Sequence, residues 1–259
     1  MKNGFWIFLA VFVALGGSWC GFVLAPELQL GGAKQTAILN SSDVYPVGRP
    51  GEANQGLSVY RANGCAACHT EQVRQTGMTC SVTLTDAGKN PEAVTNLILS
   101  LTLTNLTKEE ADVASGKITA AGGKAEIHTV ATGPDIARGW GMRQSVAEDF
   151  LHDNPVQLGG LRAGPDLSNI GARADANWQL LHLYAPQSVV KGSTMPPFRY
   201  LFEVRKIGRE PSSNALKLPP EFAPPAGYEV LPKPEAVELA AYLSSLRANV
   251  PLFSAPISP

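Results

Sequence analysis

The longest apolar stretch of the chain covers residues 5–25, FWIFLAVFVALGGSWCGFVLA, and contains no charged side chain. A helix of this length spans about 32 Å, which matches a bilayer core of about 30 Å. The alternative is a cleaved signal peptide, whose apolar region is usually about 7–15 residues, and Pro26 is a poor residue beside a cleavage site. We therefore expect a retained membrane anchor over residues 1–25, with Lys2 on the cytoplasmic side and the remaining chain outside.

The pattern beyond the anchor predicts a tether followed by a mainly α-helical domain. Residues 26–54 contain several prolines, glycines and serines with little periodicity, which indicates an irregular tether. Apolar residues at helical spacing predict helices over residues 55–64, 92–103, 144–152 and 176–184 and a final helix that starts at Pro234. The proline-rich residues 207–234 are predicted to be loop.

Residues 75–134 differ from their surroundings because they are rich in Thr, Ala and Leu. Thr107 and Glu110 fit a capping box, and we expect the helix that they begin to end at residues 114–116. Leucines at positions 97, 99, 101 and 103 alternate as in a strand, but the segment also fits a helical stripe, which we prefer. We interpret residues 75–134 as an insertion within one domain over residues 55–250.

Composition and charge exclude some functions. The net charge is −1, and no basic run or basic-aromatic patch is present, so nucleic acid is not an expected partner. The chain has four cysteines, at positions 20, 65, 68 and 80. Because Cys20 lies in the apolar stretch, a scaffold of disulfide bonds is not expected.

The segment NGCAACH, residues 63–69, carries the strongest chemical signal. Cys65, Cys68 and His69 form the C-x-x-C-H pattern that attaches c-type haem. Two thiols at this spacing can form thioethers with the two vinyl groups of one porphyrin, and the adjacent imidazole can bind the iron. The alternatives are a redox-active thiol pair or half of a zinc site. No βαβ pattern and no second C-x-x-C supports either alternative, so we expect one covalent haem c.

Met195, in the segment GSTMPPF, is the expected second iron ligand. The prolines that follow it restrict the backbone, and His–Met ligation suits electron transfer. Met78 is too close to the attachment site to reach the opposite face, and Met142 is more typical of a packing residue. The histidines at 128, 152 and 182 remain alternatives. Pro165, in GPDL, has a carbonyl free to accept the second N–H of His69.

These motifs, followed by the final helix EAVELAAYLSSL, resemble class I cytochromes c. That resemblance implies a crossing of the first and last helices, with Gly56 and Tyr60 against Tyr242 and Leu243. The segments GLSVYRANGCAACHTEQVR, ARGWGMRQSVAEDF, RAGPDLSNIGAR, WQLLHLYAPQSVV and STMPPFRYLF resemble the mono-haem subunit, subunit II, of cbb3-type cytochrome c oxidases. The long segment between the haem motif and ARGWG departs from the family pattern, and the chain diverges again after residue 203.

The matching segments contain five arginines that suit haem propionates, at positions 74, 138, 143, 162 and 173. Arg138 and Arg143 are our first choices, with Trp140 beside them. The competing interpretation is that each arginine faces solvent or pairs with Asp149 or Asp166.

The resemblance implies an electron-transfer subunit of a membrane oxidase. Its haem would accept electrons from another c-type cytochrome and pass them to a haem–copper catalytic subunit, with the haem domain on the periplasmic side of a bacterial inner membrane. The sequence contains no oxygen site of its own, which leaves its status as an enzyme open. The alternatives are a membrane-anchored shuttle, a cytochrome subunit of another respiratory complex, and a haem enzyme or gas sensor with an open iron site.

Overall fold

The computed structural model describes residues 3–32, 34–39 and 41–252. Lys2, on which the predicted orientation depends, lies outside the described residues. The internal contacts divide the chain into two units. One comprises the residues up to Gly48 together with Val146–Val156, and the other comprises Arg49–Ser145 and the residues from Gln157 onward.

The first unit consists mainly of the apolar helix. Helix α1, Gly4–Trp19, continues through a π-helical turn, Cys20–Leu24, into α2, Ala25–Gly31. An 18-residue window within Gly4–Gln29 has a mean hydropathy of 2.2, and this helix is long and apolar enough to cross a membrane. The prediction that the helix ends before Pro26 is wrong, because the chain passes through this proline without leaving the helix. The N–H of Ala25 bonds to the carbonyl of Cys20, five residues back, and such a π-turn is one way in which a helix accommodates a proline.

The same unit contains a small strand pair and one short turn. Strands β1, Thr36–Ala37, and β2, Val44–Tyr45, are antiparallel. The predicted helix over 144–152 is wrong, since only a 3₁₀ turn, Ala147–Phe150, forms there. The carboxylate of Asp149 accepts the N–H of Val146 at 2.9 Å and caps this single turn.

The second unit contains most of the helices that the apolar periodicity predicts. Its helices are α3, Gly51–Ala62; α4, Pro91–Leu99; α5, Lys108–Ala120; α6, Pro134–Ala137; α7, Ile170–Arg173; α8, Ala176–Tyr184; and α9, Pro234–Ser245. Helix α3 begins at Gly51, earlier than expected. The capping box of Thr107 and Glu110 is present, but α5 continues past the predicted end. Asp175 caps α8 by accepting the N–H of Trp178 at 2.7 Å.

Helices α3 and α9 cross at the contact that the resemblance implies. A Cβ atom on Gly56 would lie 1.9 Å from the carbonyl oxygen of Glu238 and 2.7 Å from Cβ of Tyr242, so only glycine allows this approach. The rings of Tyr60 and Tyr242 lie 5.2 Å apart and are fully buried. Around the crossing, Leu57, Leu167, Ile170, Leu183, Leu239 and Leu243 form part of the main core.

The insertion is a β-α-α-β unit with its own core. Strand β3, Gly77–Asp86, pairs antiparallel with β4, Lys124–Thr132, and α4 and α5 lie between them in the sequence. Its buried side chains are Cys80, Val82, Val94, Leu106, Ala111, Ala114 and Ile118. The two strands were not predicted. A second unpredicted hairpin, β5, Phe202–Lys206, with β6, Tyr228–Pro232, precedes α9, so part of the predicted loop 207–234 is strand.

Candidate functional site

The C-x-x-C-H segment forms a tight turn directly after α3. Gly64 has a φ of 65° and ends the helix, and Cys65–Ala67 then form a 3₁₀ turn. The N–H groups of Cys68 and His69 bond to the carbonyl of Cys65 at 3.1 and 3.0 Å, so one turn carries both thiols and the imidazole. Both cysteines are free thiols. Burial, with smaller contributions from Glu71 and Cys68, raises the pKa of Cys65 to about 11, which keeps this group protonated at neutral pH.

Two residues of the GPDL segment hold the His69 ring. The Nδ1 atom donates to the carbonyl of Pro165 at 2.8 Å, which is the contact expected from the sequence. This bond leaves Nε2 as the lone-pair nitrogen, the usual arrangement of a ligating histidine. A Cβ atom on Gly164 would lie 2.3 Å from Cε1 of the ring, so only glycine leaves space for the imidazole. Burial lowers the pKa of His69, although the Pro165 carbonyl and Asp166 oppose the shift.

A cavity with an inner and an outer part adjoins this ring. The inner part has a volume of about 60 Å³, and Cys65, His69, Pro165 and Met195 are among its lining residues. The outer part has a volume of about 460 Å³ and includes Cys68, Arg173 and Lys191. The two parts share His69, Pro165, Ile170, Trp178, His182 and Met195. The structure thus brings both thiols, the imidazole and the thioether to one largely apolar cavity.

Met195 reaches this cavity from a loop that returns to α8. The N–H of Phe198 donates to the carbonyl of Leu183 at 2.8 Å, which ties the loop to the end of the helix. The N–H of Met195 bonds to the hydroxyl of Ser193 at 3.3 Å, and its side chain packs partly buried against the main core. By contrast, Met142 is 54% exposed and does not line the cavity.

Arg138 and Arg143, the first choices for the propionates, do not line the cavity in the part of the chain that the structure describes. Arg138 stacks on the Trp140 ring at 5.0 Å. Arg143 is buried, and its guanidinium donates to the carbonyls of Val250 and Gln144 at 3.1 and 3.0 Å. Both guanidinium groups therefore have structural contacts.

Arg173 is the arginine that lines the cavity. Its Nη2 donates to the carbonyl of Asp166 at 2.9 Å, and its Nε donates to the carbonyl of Asn169 at 3.4 Å. Burial lowers its pKa, while Asp166 opposes the shift. Its two hydrogen bonds within the part of the chain that the structure describes go to neutral carbonyls, so its charge can serve an anion at the cavity mouth.

Arg162 belongs to a buried polar network behind the His69 turn. Its guanidinium donates to Asp135 at 2.8 Å, to the hydroxyl of Thr70 at 2.9 Å and to the carbonyl of Gln72 at 2.6 Å. A longer contact of 3.5 Å reaches Asp166, whose side chain is fully buried. The pairing of an arginine with Asp166, which the sequence left open, is therefore present, and Arg162 is a scaffold residue.

Trp178 lines the cavity but was not singled out from the sequence, and it lies beside His182 on α8. Their rings stack at 4.7 Å with an interplanar angle of 12°. Trp178 and His182 are four residues apart within WQLLH, so they lie on one face of the helix. This spacing could have indicated that the two side chains share an environment. His182 had been considered only as an alternative iron ligand.

The described residues form a mainly α-helical domain around this cavity, which is similar to what is expected of a class I cytochrome c-like haem domain, and the N-terminal helix is long and apolar enough to cross a membrane. Residues 131–219 match the family model described as "Cytochrome C oxidase, mono-heme subunit/FixO", and this match supports a cbb3-type oxidase mono-haem subunit. The match includes Gly164, Pro165, Arg173 and Met195 and covers about a third of the chain. A search of curated proteins found no match. The mono-haem family implies a haem cofactor, association with an oxidase complex, and a membrane location.

Proposed function

We propose that this chain carries electrons through one covalent haem c to the haem–copper catalytic subunit of a terminal oxidase. Another c-type cytochrome is the electron donor. The apolar helix anchors the chain in the bacterial inner membrane, and the haem domain lies on the periplasmic side. The observation that carries the proposal is the single cavity on which Cys65, Cys68, His69 and Met195 meet, combined with the family match across the Met195 loop.

Each of these residues has a defined task in the proposed site. The thiols of Cys65 and Cys68 hold the porphyrin through thioethers, so the cofactor stays bound independently of the axial bonds. His69 supplies Nε2 to the iron, and the Pro165 carbonyl fixes its ring and tautomer. Met195 supplies its thioether, and His–Met ligation raises the reduction potential of the iron. The bound haem supplies one-electron chemistry.

Arg173 and Lys191 are the cationic partners that we propose for the haem propionates, in place of Arg138 and Arg143. Both line the outer part of the cavity. The Asp166 and Asn169 carbonyls orient the Arg173 guanidinium, and Lys191 lies on the exposed Met195 loop. An oriented guanidinium forms stronger hydrogen bonds to a carboxylate than a free one.

The decisive experiment for the partner is a gentle detergent extraction of membranes, followed by affinity capture of the tagged chain and identification of the retained proteins. We expect a multi-helix haem–copper subunit in stoichiometric amounts. Capture of the haem-bearing chain alone favours the membrane-anchored shuttle, and capture of a different respiratory complex refutes the oxidase assignment.

A substitution tests the electron route. Met195→His should retain covalent haem, lower its reduction potential and slow oxidase turnover, because imidazole replaces thioether at the iron. Met142→His is the matched control, since Met142 is exposed outside the cavity lining and should leave the potential unchanged. Unchanged turnover in Met195→His, despite a lower potential, would show that this haem is not on the electron route.

A further inference from the structure

Among the residues that line both parts of the cavity, three have side chains that can bind iron, although a haem iron has only two axial positions. They are His69, Met195 and His182, and all three line both parts of the cavity. The proposed function uses the first two. His182 is therefore a third ligand candidate within the site.

One nitrogen of the His182 imidazole lacks a hydrogen-bond partner among the described residues. Its Nδ1 atom is buried and has no hydrogen-bond partner among the described residues. Buried polar side-chain atoms in proteins nearly always have such a partner. Burial and the nearby His69 lower the pKa of His182 to about 4, while the backbone of Pro186 opposes the shift. The parallel stack on Trp178 fixes the plane of the ring.

The segment that carries His182 is hydrogen-bonded directly to the Met195 loop. The bond from Phe198 N–H to the Leu183 carbonyl joins the residue after His182 to the Met195 loop. His69, in contrast, belongs to the turn after α3 and is fixed by Pro165. His182 is therefore the cavity imidazole whose helix is tied directly to the Met195 loop.

We propose that His182 is a reserve axial ligand, which binds the haem iron on the Met195 side when the Met195 thioether is absent. This inference rests on the proposed function. Its consequence is that the iron stays six-coordinate, at a lower potential, and closed to small ligands such as CO or dioxygen. An electron-transfer site that loses its thioether would then not become an open, reactive iron.

The test uses the full chain, matured in a host that attaches haem c and purified in detergent. In Met195→Ala, we expect loss of the Met–iron absorption band and a low-spin ferric spectrum of bis-imidazole type by electron paramagnetic resonance. In Met195→Ala with His182→Phe, we expect loss of the low-spin signal and fast CO binding to the reduced form. Added imidazole should restore the low-spin signal in the double variant, which also shows that the cavity is intact.

A matched control replaces a histidine outside the cavity lining. His128 is exposed on β4 of the insertion, so Met195→Ala with His128→Phe should remain low-spin. If the double variant with His182→Phe does not fold, His182→Gln removes the imidazole while keeping a polar side chain, and the same loss of the low-spin signal is expected.

The proposed function and the role of His182 can be refuted separately. Haem that is not covalently attached in the parent chain refutes the proposed function. Covalent haem with a high-spin Met195→Ala spectrum refutes only the role of His182. Identical low-spin spectra with and without His182 also refute it, because the replacement ligand would then come from elsewhere.

Discussion

Replacement of Arg162 by methionine should strongly destabilise the haem domain. The guanidinium is 20% exposed and contacts Asp135 and Asp166, whose side chains are only 5% and 0% exposed. Methionine has a similar length and no charge, so it leaves two buried carboxylates without their cation. Removal of one partner from a buried ion pair costs about 3–5 kcal/mol. We take about 3 kcal/mol, because Arg162 is partly exposed and backbone N–H groups still bond to both carboxylates.

The assay is thermal unfolding of the purified chain in detergent, followed by far-ultraviolet circular dichroism. A loss of about 3 kcal/mol lowers Tm by roughly 6–12 °C for a domain of this size. Arg205→Met is the control, since Arg205 also pairs with a carboxylate, Glu229, but is 50% exposed. Exposed pairs contribute about 0–1 kcal/mol, so Tm should change by only a few degrees.

A second substitution identifies the source of the loss. Asp135→Asn neutralises one of the two carboxylates that Arg162 contacts. If the cost arises from uncompensated buried charge, Arg162→Met with Asp135→Asn should be less destabilised than the sum of the two single variants. Additive effects, or an Arg162→Met variant no less stable than Arg205→Met, would refute the reasoning.

Two further substitutions test the His69 pocket and the last hairpin. Gly164→Ala places a methyl group 2.3 Å from Cε1 of His69, so we expect covalent haem with a loss of the low-spin signal. The control Gly160→Ala has no atom within 4 Å of its added Cβ and should give the spectrum of the parent. Equal spectra for the two variants would contradict the predicted contact. The N–H and hydroxyl of Ser212 lower the pKa of Glu229, so the carboxylate stabilises the fold at neutral pH and this contribution is lost as pH falls through the lowered pKa. The Tm difference between the parent and Glu229→Gln should therefore shrink from about pH 7 to about pH 3, and a constant difference would contradict this.

The C-x-x-C-H turn and the carbonyl that accepts from its histidine could be predicted from sequence motifs. The spacing of Cys65, Cys68 and His69 fixes one turn, and the absent N–H of Pro165 leaves a carbonyl for the histidine. The crossing of α3 and α9 at Gly56 was implied by the resemblance to class I cytochromes c, and the structure confirms it.

The insertion was less predictable because its signals were mixed. The segment TCSVTLT, residues 79–85, alternates polar and apolar residues, and Cys80 and Val82 are buried while Thr83 and Thr85 are exposed. This alternation is typical of a strand, but it was obscured by the neighbouring leucines, whose spacing fits a helix. The pairing with residues 124–132 depends on closure of a loop more than thirty residues long, which no local pattern encodes.

The roles of the arginines could not be assigned from the sequence. A guanidinium suits a propionate, a buried aspartate and an aromatic face equally well, and the described arginines include examples of the last two partners. Arg162 binds two carboxylates, Arg138 stacks on Trp140, and Arg173 lines the cavity. Only the three-dimensional positions of these partners distinguish the roles.

The central claim is a single haem attached through both sulfurs of residues 65–69, and mass spectrometry of the denatured chain tests it most directly. After acid–acetone extraction, the account predicts one species, heavier than the polypeptide by one haem, that retains the absorption of a porphyrin with two thioether bonds. Replacement of Cys65 and Cys68 by alanine should give a colourless chain at the polypeptide mass. A parent chain at the polypeptide mass, with its pigment in the extract, would contradict the account.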